Sequence, residues 1–302
     1  MERFGFLNIN KPEGITSHTV ISKLRKKLNI KRIGHSGTLD PFASGVLPVA
    51  VSNATRLIRF LPETKAYEAV IDLRFTTDTD DLTGEELERI NSEDLQLEDL
   101  KAKLALMKGS FKQIPPLYSA IKVNGKKLYE RMRRGEPLDL ADIKEREVYV
   151  SEIQVLDYQY PFLHLNIYCK AGLYIRSIAR DLGGHLKKLL RIESNSLSIQ
   201  DSVDLDDINL ENVQKHFINP GELLVSPALK VADKQIVDLQ QGKFLFLNAQ
   251  DFKHNLVKPP NDTFNFREGL IQCIGEGDEF AGMVAVHKKK TGEFLIKPKI
   301  IV

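Results

Sequence analysis

Cysteine is scarce in this 302-residue chain: Cys169 and Cys273 are the only two. Two thiols cannot build a disulfide framework or a four-ligand zinc site. Long apolar runs are missing too. No window approaches ~18 uninterrupted apolar residues, the length a membrane-spanning helix needs. Met1-Glu2-Arg3 and the Phe-Gly-Phe-Leu that follows lack the apolar stretch of a secretory signal. The familiar motifs G-x-G-x-x-G, Walker A and H-E-x-x-H do not occur. Ser36 stands beside His35, yet no G-x-S-x-G elbow surrounds a serine. Asp78, Asp80 and Asp81 look like the start of a calcium loop. Leu82 and Thr83 then occupy the positions where an oxygen ligand and a glycine are required. With 42% hydrophobic and 28% charged residues, the composition is that of a globular protein. The expectation is a soluble, cytoplasmic chain with no membrane association.

What is present is charge, and it is segregated. The net charge is only +2, but residues 1–60 carry ten Lys/Arg against three Asp/Glu. Residues 61–112 reverse this, with seven against thirteen. The segment 122–134, KVNGKKLYERMRR, has six basic residues and one acidic residue. Lys288, Lys289, Lys290, Lys297 and Lys299 crowd the last fifteen positions. Separate basic segments on a nearly neutral chain, one of them beside a tyrosine, point to a polyanion such as nucleic acid.

The apolar pattern predicts a strand over 4–10, a turn at Lys11-Pro12-Glu13-Gly14, and a helix capped by Thr16 or Ser17. That helix has an apolar face of Val20, Ile21, Leu24 and Leu28. A buried strand over 46–51 and a short helix over 54–61 follow. Tyr67, Ala69, Ile71, Leu73 and Phe75 share one strand face. Leu97, Leu100, Leu104 and Met107 mark a helix closed by Gly109. Residues 113–145 open with Pro115-Pro116, have weak apolar periodicity, and read as an insertion. Strands at 147–157 and 162–170 and a helix over 173–190 come next. Short strand-like runs at 243–247, 269–274, 280–287 and 293–301 suggest a small β-rich terminal domain.

The most informative stretch is Gly34-His35-Ser36-Gly37-Thr38-Leu39-Asp40-Pro41-Phe42-Ala43-Ser44-Gly45-Val46-Leu47-Pro48. A carboxylate held before proline in a glycine-punctuated loop can serve as nucleophile or general base, or simply make a turn. The run resembles the catalytic loop of the TruB/dyskerin type of RNA pseudouridine synthases. Four further blocks agree with that family in order and spacing. They are Lys11-Pro12 with Gly14-Ile15-Thr16-Ser17; Lys65-Ala66-Tyr67 with Thr77-Asp78-Thr79-Asp80 and Gly84; Gln113-Ile114-Pro115-Pro116-Leu117-Tyr118-Ser119-Ala120 with Gly125 and Leu128-Tyr129; and Gly172-Leu173-Tyr174-Ile175-Arg176-Ser177 with Asp181-Leu182-Gly183. Together the blocks span about residues 5–202. After Gly183 the chain departs from the family, whose longer helix leads to an L-R-R segment and a glycine. Here 184–192 is several residues shorter, and Asn195 stands where the glycine is expected.

The resemblance implies an α+β pseudouridine-synthase fold on a mixed, mainly antiparallel sheet, with an RNA-clasping insertion at about 113–145. It implies a catalytic domain over 1–229 and a PUA-like RNA-binding domain over 230–302, the latter on a looser match. The implied activity is isomerisation of uridine to pseudouridine at position 55 in the T loop of tRNA, by base flipping and without a cofactor or an obligatory protein partner. Asp40 would be the catalytic carboxylate, attacking ribose or uracil or acting as a base. Arg176 would be its ion-pair partner, offsetting the burial that would otherwise neutralise it. Tyr67 would stack on the flipped uracil, and its hydroxyl could help remove the C5 proton. His35 would enter the RNA loop, Lys11 and Pro12 would brace the pocket, Tyr174 would line it, and Leu189 would form its floor. Lys122, Lys126, Lys127, Arg131 and Arg133 would clasp the RNA backbone, and Lys288 to Lys290 would reach the acceptor side of tRNA. The rival readings are a guide-RNA-dependent, dyskerin-like subunit and an RNA-binding or tRNA-folding protein.

Overall fold

The computed structural model describes residues 4–89, 95–119, 121–123, 125–135, 143–257 and 269–302. Strands drawn from the first 204 residues build one ten-stranded sheet. Numbered along the chain, its strands are β1 (Gly5–Lys11), β2 (Ile33–His35), β3 (Ser44–Val51), β4 (Thr64–Asp72), β5 (Gly109–Gln113), β6 (Arg146–Gln159), β7 (Phe162–Lys170), β8 (His185–Ser194), β9 (Leu197–Ser198) and β10 (Val203–Asp204). The path runs β10-β1-β3-β8-β4-β7-β6-β5, with β2 on β3 and β9 on β8. Only β1 with β10 and β3 with β8 pair in parallel. The sheet is therefore mixed and mainly antiparallel, and the α+β expectation holds.

Strands β1 and β3 are apolar on both faces because both faces are covered. Leu7, Ile9, Leu47, Val49 and Val51 meet Val20, Ile21, Leu24 and Leu28 of helix α1 (Ser17–Leu28). Thr16 caps α1 by accepting from the Thr19 N–H at 3.0 Å, as the sequence predicts. On the opposite face Phe6, Val46 and Ala50 join Leu57, Leu223, Phe280, Met283 and Ile300. Residues Phe280, Met283 and Ile300 belong to a second sheet of six strands: β11 (Ala228–Lys230), β12 (Leu245–Leu247), β13 (Leu256–Val257), β14 (Gly269–Ile274), β15 (Phe280–Lys288) and β16 (Phe294–Ile301), in the order β12-β16-β15-β14-β11-β13. The strand-like runs near the C-terminus thus form strands. The helices Asp233–Gln240 and Ala249–Asn255 between them have no counterpart in the sequence reading. The short helix expected over 54–61 is two 3-10 turns, Ser52–Arg56 and Ile58–Phe60.

Helix α2 (Leu97–Leu106) lays Leu100 and Leu104 on the β4, β7 and β6 portion of the first sheet. Gln113 ends β5 and pairs with Arg146, which begins β6, so 114–145 is an insertion between neighbouring antiparallel strands. Its described part holds a ribbon, Lys122–Val123 with Lys126–Lys127, and a helix, Leu128–Arg133. Val123, Leu128 and Ile143 give it a small core of its own.

Two expectations are overturned. Leu73 and Phe75 do not continue the strand of Tyr67, because β4 ends at Asp72 and Phe75 begins a separate short strand, Phe75–Thr77, paired with Glu86–Arg89. The helix expected over 173–190 is only seven residues long, α3 (Ile175–Asp181), and β8 follows it. Gly183 has φ +93°, its N–H bonds to Arg180 O, and the Gly184 N–H bonds to Ala179 O, which closes the helix. A Cβ at Gly184 would collide with the Asp72 carbonyl, so the chain passes tightly against β4 there. A register shift between Leu186 and Lys188 then breaks the two-residue alternation of β8. Buried Leu182, Leu186 and Leu189 consequently fall at helical spacing although two of them are strand residues.

Candidate active site

The loop between β2 and β3 is fastened from several directions. The Ser17 hydroxyl, in the first turn of α1, donates to Leu39 O at 3.0 Å and accepts from Leu39 N–H at 2.9 Å. Lys11, at the end of β1, is fully buried, and its Nζ donates to the carbonyls of Pro12 and Ile15 at 2.8 Å and of Pro41 at 3.3 Å. The Gly14 N–H also donates to Pro41 O at 2.8 Å. Lys11 and Gly14 of the early block therefore grip the Pro41 carbonyl, one residue past Asp40, while the Pro12 carbonyl helps to hold the Lys11 ammonium. Burial outweighs the attraction of Asp40 and brings the Lys11 ammonium down to about 8.

From beneath, Arg191 of β8 ties the same loop to the sheet. It is wholly buried and donates from Nε to Val46 O at 2.7 Å and from Nη2 to Gly37 O at 3.1 Å. Gly45 has φ +105°, and a Cβ there would strike the Arg191 carbonyl, so no other residue lets β3 and β8 approach this closely.

Asp40 meets Arg176 of α3 through two nitrogens. Nε lies 2.9 Å from Oδ2, and Nη2 donates to Oδ1 at 3.2 Å. The guanidinium is buried, 5% exposed, and has other partners. Nη1 donates to Thr79 O at 3.1 Å and lies 3.6 Å from Asp81 Oδ2, and Nη2 also donates to Tyr118 O at 3.1 Å. Asp81 is itself held by Thr79 Oγ1, Thr83 N–H and Thr83 Oγ1. One turn on, Arg180 pairs with Asp80 at 3.2 Å and donates to Ile114 O at 2.8 Å. Burial pushes the Asp80 carboxyl up to about 6 despite this partner. The acidic turn and the Pro-Pro block thus converge on the two arginines of α3.

Sequence reasoning assigned Arg176 to offset the burial of Asp40. In the structure the offset is incomplete. Burial and the neighbouring Asp81 push the Asp40 carboxyl above its ordinary value, while Arg176 and Lys11 oppose them. Arg176 is shared between two carboxylates and two carbonyls, which explains the shortfall. The Asp40 side chain remains 34% exposed, so water still reaches the carboxylate.

Tyr67 lies opposite Arg191 in the β4–β8 register, and Leu189 lies opposite Ala69 on the face that Tyr67 occupies. Tyr67, Leu189, Leu39 and Ile175 belong to one apolar cluster. Burial raises the Tyr67 phenol, which keeps its proton. Tyr174, just before α3, is fixed by a pair of bonds to Gln113: its N–H donates to Oε1 at 3.0 Å, and Nε2 donates to its carbonyl at 3.1 Å. Burial followed by the Arg191 charge lowers His35, so its imidazole is neutral near pH 7.

All of these residues border the His35–Asp40 loop. The basic residues expected to clasp RNA lie apart from it in the insertion. Lys122 and Lys126 are exposed on the ribbon and Arg131 is half-buried on its helix. The side chains of Lys127 and Arg133, together with residues 120, 124 and 136–142, lie outside the described residues. Lys288, Lys289 and Lys290 are exposed at the end of β15, with the Lys289 ammonium 4.2 Å above the Phe246 ring. Arg191, Arg180, Asp81 and Gln113 were given no site role from the sequence. The contacts that bring them to the site, with Val46 O and Gly37 O, Ile114 O, Arg176 and Tyr174, are made far along the chain, and no local spacing betrays them. Among the described residues no helix is long and apolar enough to cross a membrane, and no three His, Cys, Asp or Glu are grouped to hold a metal ion.

Residues 25–175 match the model of the TruB family of pseudouridylate synthases, N-terminal domain. The tRNA pseudouridine synthase B of Gloeobacter violaceus is 47% identical over 305 residues, covering 98% of this chain and 99% of that protein. That of Microcystis aeruginosa is 39% identical over 308 residues, covering 99% of both. Among solved structures, a chain of a Cbf5-Nop10-Gar1 complex superposes with a TM-score of 0.67 at 25% identity, covering 94% of this chain and 78% of the other.

Proposed function

This chain belongs to the TruB family of pseudouridylate synthases, and from that premise we propose that it converts uridine to pseudouridine at position 55 in the T loop of tRNA. The observation that carries the reading is the Asp40–Arg176 pair: a carboxylate gripped by a fork of two nitrogens, still one-third open to solvent, beside Tyr67 and Leu189.

The isomerisation breaks N1–C1′, turns the uracil and joins C5 to C1′. The C5 proton leaves and N1 gains one, so the atoms balance without a cofactor. The target base must first leave its stack, at a cost of a few kcal/mol. Asp40 acts on the ribose or the uracil as nucleophile, or on the sugar as base. Arg176 opposes the neutralisation of the carboxylate by burial and aims it. Tyr67 stacks on the uracil over the floor made by Leu189, and Tyr174 lines the wall. Neutral His35 occupies the space that the extruded base leaves in the RNA loop. Lys11 holds the Pro41 carbonyl just past Asp40, and Pro12 braces Lys11 through its own carbonyl. Lys122, Lys126, Lys127, Arg131 and Arg133 clasp phosphates, as structured RNA read largely by shape requires. On this reading residues 1–229 are the catalytic domain, 230–302 are a PUA-like RNA-binding module, and the enzyme is cytoplasmic and acts alone.

The similarity to a chain from a Cbf5-Nop10-Gar1 complex keeps a guided, multi-subunit role as the second reading. Near-complete coverage of curated tRNA pseudouridine synthases B favours the first. Tritium release from C5-labelled uridine in an unmodified tRNA transcript separates them. Release by the purified chain alone, lost in Asp40→Asn, supports a stand-alone synthase. No release by a folded, tRNA-binding chain moves the assignment to the guided enzyme or to an RNA-folding protein.

A further inference from the structure

Lys65 stands two residues before Tyr67 on β4, so its side chain leaves the sheet on the same face. Across the sheet it faces Cys169 of β7 and Ser194 of β8. The His35–Asp40 loop passes directly over it: a Cβ built on Gly37 would lie 2.6 Å from Lys65 Nζ. Gly37 has φ +79° and leaves the room that the ammonium occupies.

The surroundings of this lysine are wrong for a structural ion pair. Arg191, which carries like charge, is its strongest electrostatic neighbour; the others are Cys169 and, more weakly, Glu63. Burial pushes the Cys169 thiol up to about 12, so it is neutral. Among the described residues Lys65 is half-buried, and its Nζ makes no hydrogen bond and no ion pair. Burial, then Arg191, brings it down to about 8. Lys11 and Arg191 differ in kind, because each gives its donors to backbone carbonyls and is part of the scaffold. Of these three buried or half-buried cations, Lys65 is the one whose donors are unused among the described residues. A desolvated cation without a counterion is costly, and an arriving anion removes that cost.

In RNA the anionic group is the phosphodiester. Resting on the functional reading above, we propose that Lys65 receives a phosphodiester of the strand that delivers the target uridine, making it an RNA-binding residue of the active-site loop. The charge of Arg191 deepens the same anion-seeking pocket from behind. A uracil carbonyl could accept a hydrogen bond from Lys65, but it would leave both cations unneutralised.

The test is tRNA binding by the full chain carrying Asp40→Asn, titrated between 50 and 200 mM salt. Adding Lys65→Met is expected to weaken binding about tenfold and to lower the slope of log K against log salt by about one. Lys65→Arg is expected to keep the slope. Unchanged affinity and slope overturn the proposal. Weaker binding at an unchanged slope also overturns it and moves Lys65 to an uncharged group of the base. If Lys65→Met does not fold, acetylation of Lys65 in the wild-type chain decides, read by peptide mass spectrometry. Slower modification with tRNA bound supports the contact, and equal rates overturn it. Failure of the Asp40→Asn chain to bind tRNA at all removes the functional reading and the proposal together.

Discussion

Asp40 and Arg176, 136 residues apart in the chain, meet as two oxygens on two nitrogens, and the arginine spends its remaining donor capacity on Thr79 O, Tyr118 O and Asp81. The pair is therefore the node through which the acidic turn and the insertion register on the Asp40 loop. A change at any of these partners alters the aim of the carboxylate. Asp40→Asn is expected to abolish tritium release while leaving tRNA affinity within a few-fold. Retained release would remove Asp40 from the chemistry.

Arg176→Lys conserves charge but loses the fork and two backbone contacts. Turnover is expected to fall by at least about 100-fold, a loss of ~2.7 kcal/mol of transition-state stabilisation, with KM changed far less. Single-turnover kinetics at saturating enzyme measure this directly. A lysine variant with native kcat would show that charge alone suffices.

Lys11 yields a pH dependence of stability. Its ammonium titrates at about 8 when folded, against an ordinary 10.5. Between those values the unfolded chain binds more protons than the folded one, so this group makes folding more favourable as pH rises. Below pH 8 both states are protonated and the full burial penalty applies. The melting temperature of wild type relative to Lys11→Met is therefore expected to climb from about pH 8 to pH 10. A difference flat across that window would contradict the buried, charged lysine.

Gly45→Ala is expected to be among the most damaging single methyl additions. The new Cβ would overlap the Arg191 carbonyl at φ +105°, separating β3 from β8 where the loop is anchored. Gly292→Ala is the control, because it has φ +89° with open space around the Cβ and costs only the left-handed penalty, about 1–2 kcal/mol. Denaturant melts are expected to rank Gly45→Ala well below Gly292→Ala, with turnover lost alongside.

These contrasts also mark what the sequence could reveal. The Lys-Pro block, the GHSGTLDP loop and the block around Arg176 were readable because each resembles a contiguous run of the TruB/dyskerin family, although their contacts span up to 136 residues of chain. Helix α1 was readable because a regular apolar face and a capping threonine agree. Strand β8 was not, since its bulge shifts Leu186 and Leu189 to a helical spacing. Arg191 was invisible for another reason: it serves carbonyls about 150 residues away, which any sequence supplies. The sharing of Arg176 between two acids, and hence the raised Asp40, likewise needs the packed site.

The clasp is tested by charge. Neutralising Lys126, Lys127, Arg131 and Arg133 together is expected to weaken tRNA binding and flatten its salt dependence by up to about three to four in log–log slope. An intact slope would free the insertion of phosphate contacts.

Removing residues 230–302 looks like the natural test of the RNA-binding role proposed for them, but the packing argues otherwise. Phe280, Met283 and Ile300 bury Phe6, Val46 and Ala50 on the back of β1 and of β3, the strand into which the Asp40 loop leads. Truncation near residue 230 is expected to expose that face, lower the melting temperature and promote aggregation, so lost activity would report on folding as much as on RNA. Replacing Lys288, Lys289 and Lys290 with glutamine leaves this core untouched, because all three are exposed. The triple variant is expected to melt like wild type, raise KM several-fold and leave kcat unchanged. A fall in kcat with native KM would place those lysines outside a pure binding role.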